Sequence, residues 1–93
     1  MKKLIYSYIF GYTSDDFYLN GKIVWITKHA IKRALEREIA WPDQVYAVLR
    51  TGKMKTFGKN GIKIIKKNED SSIICIGQDV GDSIIIKTIE RGN

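Results

Sequence analysis

Four side chains suited to acid–base or phosphate chemistry lie between positions 29 and 37: His29, Arg33, Glu36 and Arg37. Residues three or four positions apart share one face of a helix, so these groups can converge there. Such a set can bind a phosphodiester and cleave it. The imidazole or carboxylate would transfer protons, and the arginines would stabilise charge developing on the phosphate. The same spacing also suits a salt-bridged helix face exposed to solvent.

A second group of basic side chains follows on two predicted strands. Six lysines and no acidic residue occur between positions 53 and 67. Lysine contacts to phosphates provide affinity that falls steeply with salt and does not depend on nucleotide sequence. Lysines on a sheet edge also serve to prevent sheets from associating, which is the alternative interpretation. The predicted nucleic-acid contacts are Lys32, Lys53, Lys55, Lys59, Lys63, Lys66, Lys67, Lys87 and Arg91.

The charge of the chain is concentrated in its middle. Residues 1–26 carry +1, residues 27–68 carry +8 and residues 69–93 carry −3, which together give the net charge of +6. A positive field of this kind favours a polyanion such as RNA or DNA, or an acidic protein. The alternative is a solvated surface that keeps a small protein soluble.

Other chemistries find little support in the sequence. The one histidine and one cysteine are 46 positions apart, and no glycine-rich loop precedes a helix, so we expect no metal site and no cofactor. Cys75 lies in an apolar run, which predicts a buried thiol in a reducing compartment. Leu4 to Phe10 lacks a signal-peptide cleavage site, and no apolar run is long enough to span a membrane. We therefore expect a cytoplasmic protein that does not contact membranes.

Two consecutive helices are predicted to position the first basic group. Thr27 is a good N-cap for a helix from Lys28 to about Glu38. In this helix Ile31, Ala34 and Leu35 would form the apolar face, with Ala30 at its margin.

A second helix should have Pro42 at its first position and end at Gly52, with Val45, Val48 and Leu49 as its apolar stripe. The two helices would form a hairpin whose apolar side needs a flat surface to pack against.

The flat surface is predicted to be an antiparallel sheet of four or more strands, which makes the fold α+β. Asn20-Gly21 predicts a tight hairpin between Phe17–Leu19 and Lys22–Ile26. Later strands are apolar on both faces, so either the N-terminal segment, including a strand at Leu4–Phe10, or a second subunit of a homodimer should cover the second face. The later strands are predicted at Met54–Phe57, Ile62–Lys66, Ser72–Gly77 and Ser83–Ile89.

By length the 93 residues form one domain. Its predicted parts are an N-terminal strand and loop extension (1–21), a strand with the two helices (22–52) and an antiparallel meander (53–93).

The segment from His29 to Ile39, together with Val45, Gly52 and the run from Ile84 to Ile89, resembles the domain of unknown function 4258 family. That family has a His-Ala-x-x-Arg-x-x-x-Arg helix, a second helix ending in glycine, and a closing antiparallel sheet. The likeness covers roughly residues 24–89. Two residues depart from the pattern, since Glu38 stands where the family usually has glycine and Ala40 where it often has a serine cap.

The family in turn is similar to the RelE and ParE toxin superfamily, whose RelE branch cuts RNA without a metal. This resemblance implies a RelE-like fold, an RNA ligand, an antitoxin partner, and His29, Arg33 and Arg37 as the matching site residues. The expected function is therefore RNA binding, with metal-free ribonuclease activity of the toxin type. The alternative is a non-catalytic module that binds protein or nucleic acid, because members of one fold differ in activity.

Overall fold

The computed structural model describes residues 11, 13 and 17–92, and these form an α+β fold of two helices and one six-stranded sheet. The helices are α1 (Lys28–Glu36) and α2 (Asp43–Thr51). The strands are β1 (Tyr18–Leu19), β2 (Lys22–Ile26), β3 (Lys53–Phe57), β4 (Gly61–Lys67), β5 (Ser72–Asp79) and β6 (Ser83–Gly92).

The strand order across the sheet is β1-β2-β6-β5-β4-β3. Strands β3 to β6 form the predicted antiparallel meander, each strand one or more residues longer than expected. The sheet as a whole is mixed, because β2 pairs parallel to β6 with Val24 beside Ile84. The prediction of a wholly antiparallel sheet was therefore wrong, because β2 and β6 are parallel. Both helices lie between β2 and β3 in the chain, and parallel strands are joined by such helical crossovers rather than by tight turns.

The predicted hairpin at Asn20-Gly21 is confirmed. Strands β1 and β2 are antiparallel, and the two turn residues have φ of 54° and 77°. Positive φ at both central positions gives a turn whose twist suits adjacent strands. Just before β1, the Phe17 ring is buried against the ring of Tyr46 in α2, with their centroids 5.9 Å apart.

Helix α1 begins as predicted, with the Thr27 hydroxyl accepting a hydrogen bond from the Ala30 amide at 3.0 Å. The helix ends at Glu36, two residues earlier than expected. Glu38 has φ of 58°, and the Ile39 amide donates to the Ala34 carbonyl at 2.9 Å. This left-handed ending is the conformation that helices commonly terminate with at glycine.

The buried side of α1 differs from the predicted one. Ala30 and Ala34 are completely buried, Ile31 is half-buried, and Leu35 is 58% exposed. Helix α1 packs on β6, and its two completely buried residues are both alanines. Leu35 lies about 100° around the helix from Ala34. Its assignment to the core was therefore wrong.

Helix α2 begins at Asp43, so Pro42 stands one position before its predicted place. The Pro42 carbonyl accepts from the Tyr46 amide at 2.9 Å, which puts the proline just outside the first turn. Gly52 ends the helix as predicted, although its backbone is extended. Glycine is needed there because a Cβ atom would lie 2.6 Å from the Val48 carbonyl oxygen.

One hydrophobic core joins both helices to one face of the sheet. Val45, Val48 and Leu49 of α2 are buried in it as predicted, and Cys75 is completely buried. On the opposite face, Trp25 is 4% exposed and Ile74, Ile76 and Ile85 are half-buried. The predicted strand at residues 4–10, one of the two covers expected for that face, lies outside the described residues.

Candidate functional site

Three of the four proposed catalytic residues meet on one side of α1. Arg33 and Arg37 both reach Glu90 of β6, with Nη2 atoms 3.3 Å and 2.8 Å from its carboxylate oxygens. Glu36 lies farther away, 3.7 Å from Arg33 and 3.8 Å from Arg37. We call Arg33, Glu36, Arg37 and Glu90 the arginine–glutamate cluster. Its two positive and two negative charges cancel.

Glu90 is held in its ionised form. The hydroxyl of Thr88 donates to it at 2.6 Å, and this hydrogen bond together with the charges of Arg33 and Arg37 lowers the pKa of the Glu90 carboxyl, against the opposing effect of desolvation. Sequence reasoning missed this residue. A clue was present, because Glu90 is the one acidic residue in the run predicted to form the last strand and its flank, positions 83–92.

His29 does not join this cluster. Its side chain is exposed in the first turn of α1, and within residues 17–92 no hydrogen bond or ion pair links it to Arg33, Glu36, Arg37 or Glu90. Glu38 is also exposed, and in the same part of the chain its carboxylate forms no ion pair. Of the four predicted catalytic residues, Arg33, Glu36 and Arg37 therefore belong to the arginine–glutamate cluster, and His29 lies outside it.

The lysines are brought together at the other end of the sheet. A groove of about 370 Å³ runs between the end of α2 and strands β3 and β4. We call it the lysine groove, and it is lined by Thr51, Lys53, Lys55, Ile65, Lys66 and Lys67. In the described part of the chain, none of its four ammonium groups forms an ion pair. The groove is therefore a concentrated and uncompensated positive surface.

The strand register explains why these charges converge. Strand β3 is an edge strand, all five of its residues are exposed, and it pairs antiparallel with β4. Lys55 lies directly opposite Lys63 in this pairing. Like charges in directly opposed positions destabilise a sheet, and an anion bound between them would remove that cost.

Lys59 and Lys87 line a second recess of about 390 Å³ at the turn between β3 and β4, together with Phe57. The Lys63 ammonium lies 5.6 Å from the centre of the Phe57 ring, on the same side of the sheet. Seven of the nine predicted contact residues thus belong to the β3–β4 region or border it: Lys53, Lys55, Lys59, Lys63, Lys66, Lys67 and Lys87.

The other two predicted contacts lie elsewhere. Lys32 is exposed on α1. Arg91 donates through Nε to the Arg37 carbonyl at 3.1 Å and through Nη2 to the Glu38 carbonyl at 3.3 Å. A guanidinium placed there satisfies carbonyls at the end of α1 and offsets the negative end of the helix dipole. Arg91 therefore has a structural role.

The single cysteine is a buried core residue. Burial raises the pKa of the Cys75 thiol to about 12, as expected for an unreactive core residue. Among residues 11, 13 and 17–92 there is no cluster of three His, Cys, Asp or Glu side chains placed to hold a metal ion. Among the described residues, neither α1 nor α2 is long and apolar enough to cross a membrane.

Comparison of the chain with protein-family models, with curated proteins and with solved structures gave no match.

Proposed function

We propose that the protein binds RNA through the lysine groove. The observation that carries this proposal is the convergence of Lys53, Lys55, Lys66 and Lys67 on one groove without acidic partners among the described residues. Lysine ammonium groups bind phosphates as point charges and release the counterions condensed on a nucleic acid. The groove lies on an exposed edge of the sheet, where an extended strand of nucleic acid can approach.

RNA is preferred to DNA because of the resemblance of residues 24–89 to the domain of unknown function 4258 family. On the same ground we propose a RelE-like arrangement, in which the two helices form a hairpin on the sheet. The buried stripes of both helices, which share one core with the strands, support this arrangement. An acidic partner protein, such as an antitoxin, would compete for the same groove.

Salt-dependent binding tests the proposal. With four phosphate contacts to single-stranded RNA, the logarithm of the association constant should fall with log salt at a slope of about −3. Lys55→Gln combined with Lys67→Gln should reduce that slope by about 1.4, since each lost contact removes about 0.7. The matched control is Lys28→Gln with Arg50→Gln, which removes the same charge from the two helices and touches no predicted contact. Fluorescence anisotropy of labelled RNA at several salt concentrations would measure the slope for the wild type and for each variant.

Two outcomes would contradict RNA binding in the groove. Undetectable binding at the lowest salt would exclude a polyanion ligand. An equal loss in the groove variant and the helix control variant would mean that net charge, rather than the groove, attracts the RNA.

RNA cleavage is a second proposal, favoured by the paired guanidiniums of Arg33 and Arg37. They bind two oxygens of one carboxylate, and an RNA phosphate would have to displace Glu90 to occupy the same position. His29 would accept the proton of a ribose 2′-hydroxyl as that oxygen attacks the adjacent phosphorus. The bond to the 5′-oxygen then breaks, the leaving oxygen takes up a proton from water, and the imidazolium returns its proton to the solvent. The products carry a 2′,3′-cyclic phosphate and a 5′-hydroxyl.

A metal-free cleavage assay on mixed RNA tests this second proposal. His29→Ala should slow cleavage by about 10²-fold or more while RNA affinity changes little, whereas Arg33→Ala should reduce both. Arg50→Ala, at an exposed position of α2 outside both predicted sets, is the control and should cleave normally. If the wild-type protein leaves RNA intact, or the histidine variant cuts equally fast, the non-catalytic binding module is correct.

A further inference from the structure

We propose that the protein selects single-stranded RNA by stacking one unpaired base on Phe57, in the recess beside the lysine groove. This inference rests on the proposed RNA binding and adds a substrate class to it. We call this recess the turn hollow, and the residues that line it include Phe57, Lys59, Asn60, Gln78 and Lys87.

The Phe57 ring is exposed and supported at the same time. It is the last residue of β3 and is 44% exposed, although it is a large apolar side chain. The ring extends across the sheet onto Gly61, its directly opposed residue in β4. A Cβ atom at position 61 would lie 2.5 Å from the ring atom Cε2, so glycine provides the space that the ring occupies. The ring is thus held in place before any ligand arrives.

The turn hollow has the size and polarity of a nucleotide site. Its volume of about 390 Å³ lies within the range of small-ligand pockets. The amides of Asn60 and Gln78 can donate to and accept from a base edge. Gln78 already accepts a hydrogen bond from the Lys87 ammonium at 2.7 Å, which orients that amide and places a positive charge beside it. Lys59 and Lys87 are placed to meet the flanking phosphates.

Lys63 now occupies the neighbourhood of the ring, with Nζ 5.6 Å from its centre. An exposed cation–π contact favours the associated state of the ammonium and the ring by about 2- to 5-fold. Stacking of a nucleic-acid base on an aromatic ring changes affinity by about 5- to 150-fold. A base therefore displaces the lysine from the ring, and the released ammonium becomes available for a phosphate.

The position of Phe57 specifies an unpaired base. Lys55 and Phe57 are two residues apart on one strand, so they project from the same face of the sheet about 7 Å apart. A chain with a phosphate at Lys55 can place a neighbouring base on Phe57 if that base is free to turn outward. Bases inside a duplex are stacked on each other, and only single-stranded segments present their faces to an aromatic side chain.

Affinities of Phe57→Leu for three polyanions test this inference. The probes are a labelled single-stranded RNA, a duplex RNA of the same sequence, and heparin, which has charge but no bases. The leucine variant keeps an apolar side chain and removes the aromatic face. We expect it to bind single-stranded RNA at least 5-fold more weakly, with unchanged affinity for the duplex and for heparin.

Two further variants identify the ring as the cause. Phe57→Tyr keeps the aromatic face and should bind single-stranded RNA like the wild type. Met54→Leu changes another exposed apolar residue of β3 that lines neither the groove nor the hollow, and should have no effect. Thermal melting of each variant confirms that it is folded before binding is measured.

Failure of base stacking and failure of RNA binding give different results in these measurements. If the wild-type protein binds none of the three probes, RNA binding itself fails and the inference fails with it. If the wild-type protein binds all three probes but Phe57→Leu binds single-stranded RNA as tightly as the wild type, base stacking is refuted and RNA binding is not. An equal loss of affinity for heparin and for single-stranded RNA in Phe57→Leu would also refute it, because heparin has no bases.

Discussion

The left-handed conformation of Glu38 predicts that a single glycine will stabilise this protein. Glu38 follows the end of α1 with φ of 58°, a region in which an L-residue with a Cβ atom is strained by about 1–2 kcal/mol. Glycine removes that strain and costs about 0.5–1 kcal/mol through the larger entropy of the unfolded chain. Glu38→Gly should therefore raise the free energy of unfolding by roughly 0.5–1 kcal/mol.

The surrounding contacts should survive this change. Arg91 donates to the carbonyl oxygen of residue 38, and the backbone amide of residue 38 donates to the Leu35 carbonyl. Both contacts use backbone atoms of residue 38, so glycine keeps them. For a chain of this size the expected gain corresponds to an increase in Tm of about 2–8 °C. Differential scanning calorimetry or thermal circular dichroism would measure it.

Two control variants distinguish backbone strain from charge. Glu38→Ala removes the same carboxylate but keeps a Cβ atom, so it should not stabilise. Lys32→Gly places glycine inside α1, where it should lower stability by about 1 kcal/mol. Equal stabilisation by alanine and glycine would show that the gain is electrostatic, and an unchanged or lower Tm for Glu38→Gly would refute the strain argument.

Three further predictions concern Gly52, Cys75 and Glu90. Gly52→Ala should lower the free energy of unfolding, measured in urea, by roughly 1–3 kcal/mol. The new Cβ atom would lie 2.6 Å from the Val48 carbonyl oxygen and 2.8 Å from Ile64 Cγ2. The control Gly92→Ala should cost less, because its Cβ atom would meet only Ile74 Cδ1 at 3.3 Å. Cys75, with a pKa of about 12, should resist iodoacetamide in the folded protein and react once it is unfolded; rapid native labelling would contradict its burial. Because the pKa of Glu90 is lowered from its ordinary 4.5, its contribution to stability is present above about pH 4.5 and is lost as the pH falls through the pKa of the folded protein. Glu90→Gln should therefore lower the free energy of unfolding at pH 7 by roughly 1 kcal/mol and make stability less dependent on pH in the acid range. Glu36→Gln, which removes longer ion pairs of 3.7 Å and 3.8 Å, should cost less at pH 7.

Features determined by neighbouring residues were predicted well. The cap at Thr27, the hairpin at Asn20-Gly21 and the helix end at Gly52 depend on backbone and side-chain groups within four positions of each other. The apolar runs of β4 to β6 were recognised because β-branched residues bounded by turn residues favour strands. Such signals are local, and the fold keeps them.

Features that depend on the packing of distant segments were missed. The parallel pairing of β2 with β6 required knowledge of where the helical crossover returns the chain. Leu35 was assigned to the core because periodicity identifies an apolar side of a helix but does not show where the sheet beneath it ends. Arg33 and Glu90 are 57 positions apart, and the register of β6 and the placement of α1 bring them together.

The two basic groups of the chain look alike in the sequence but differ in what surrounds them. The arginines of α1 have carboxylate partners in Glu36 and Glu90, so their charge serves the attachment of the helix to the sheet. The lysines of β3 and β4 have no acidic partners among the described residues, and Lys55 directly opposes Lys63. This arrangement reduces the stability of the free protein and is relieved when an anion binds. A polyanion that binds the lysine groove should therefore stabilise the fold from the β3–β4 edge, whereas Glu90→Gln changes stability and leaves the groove lysines in place.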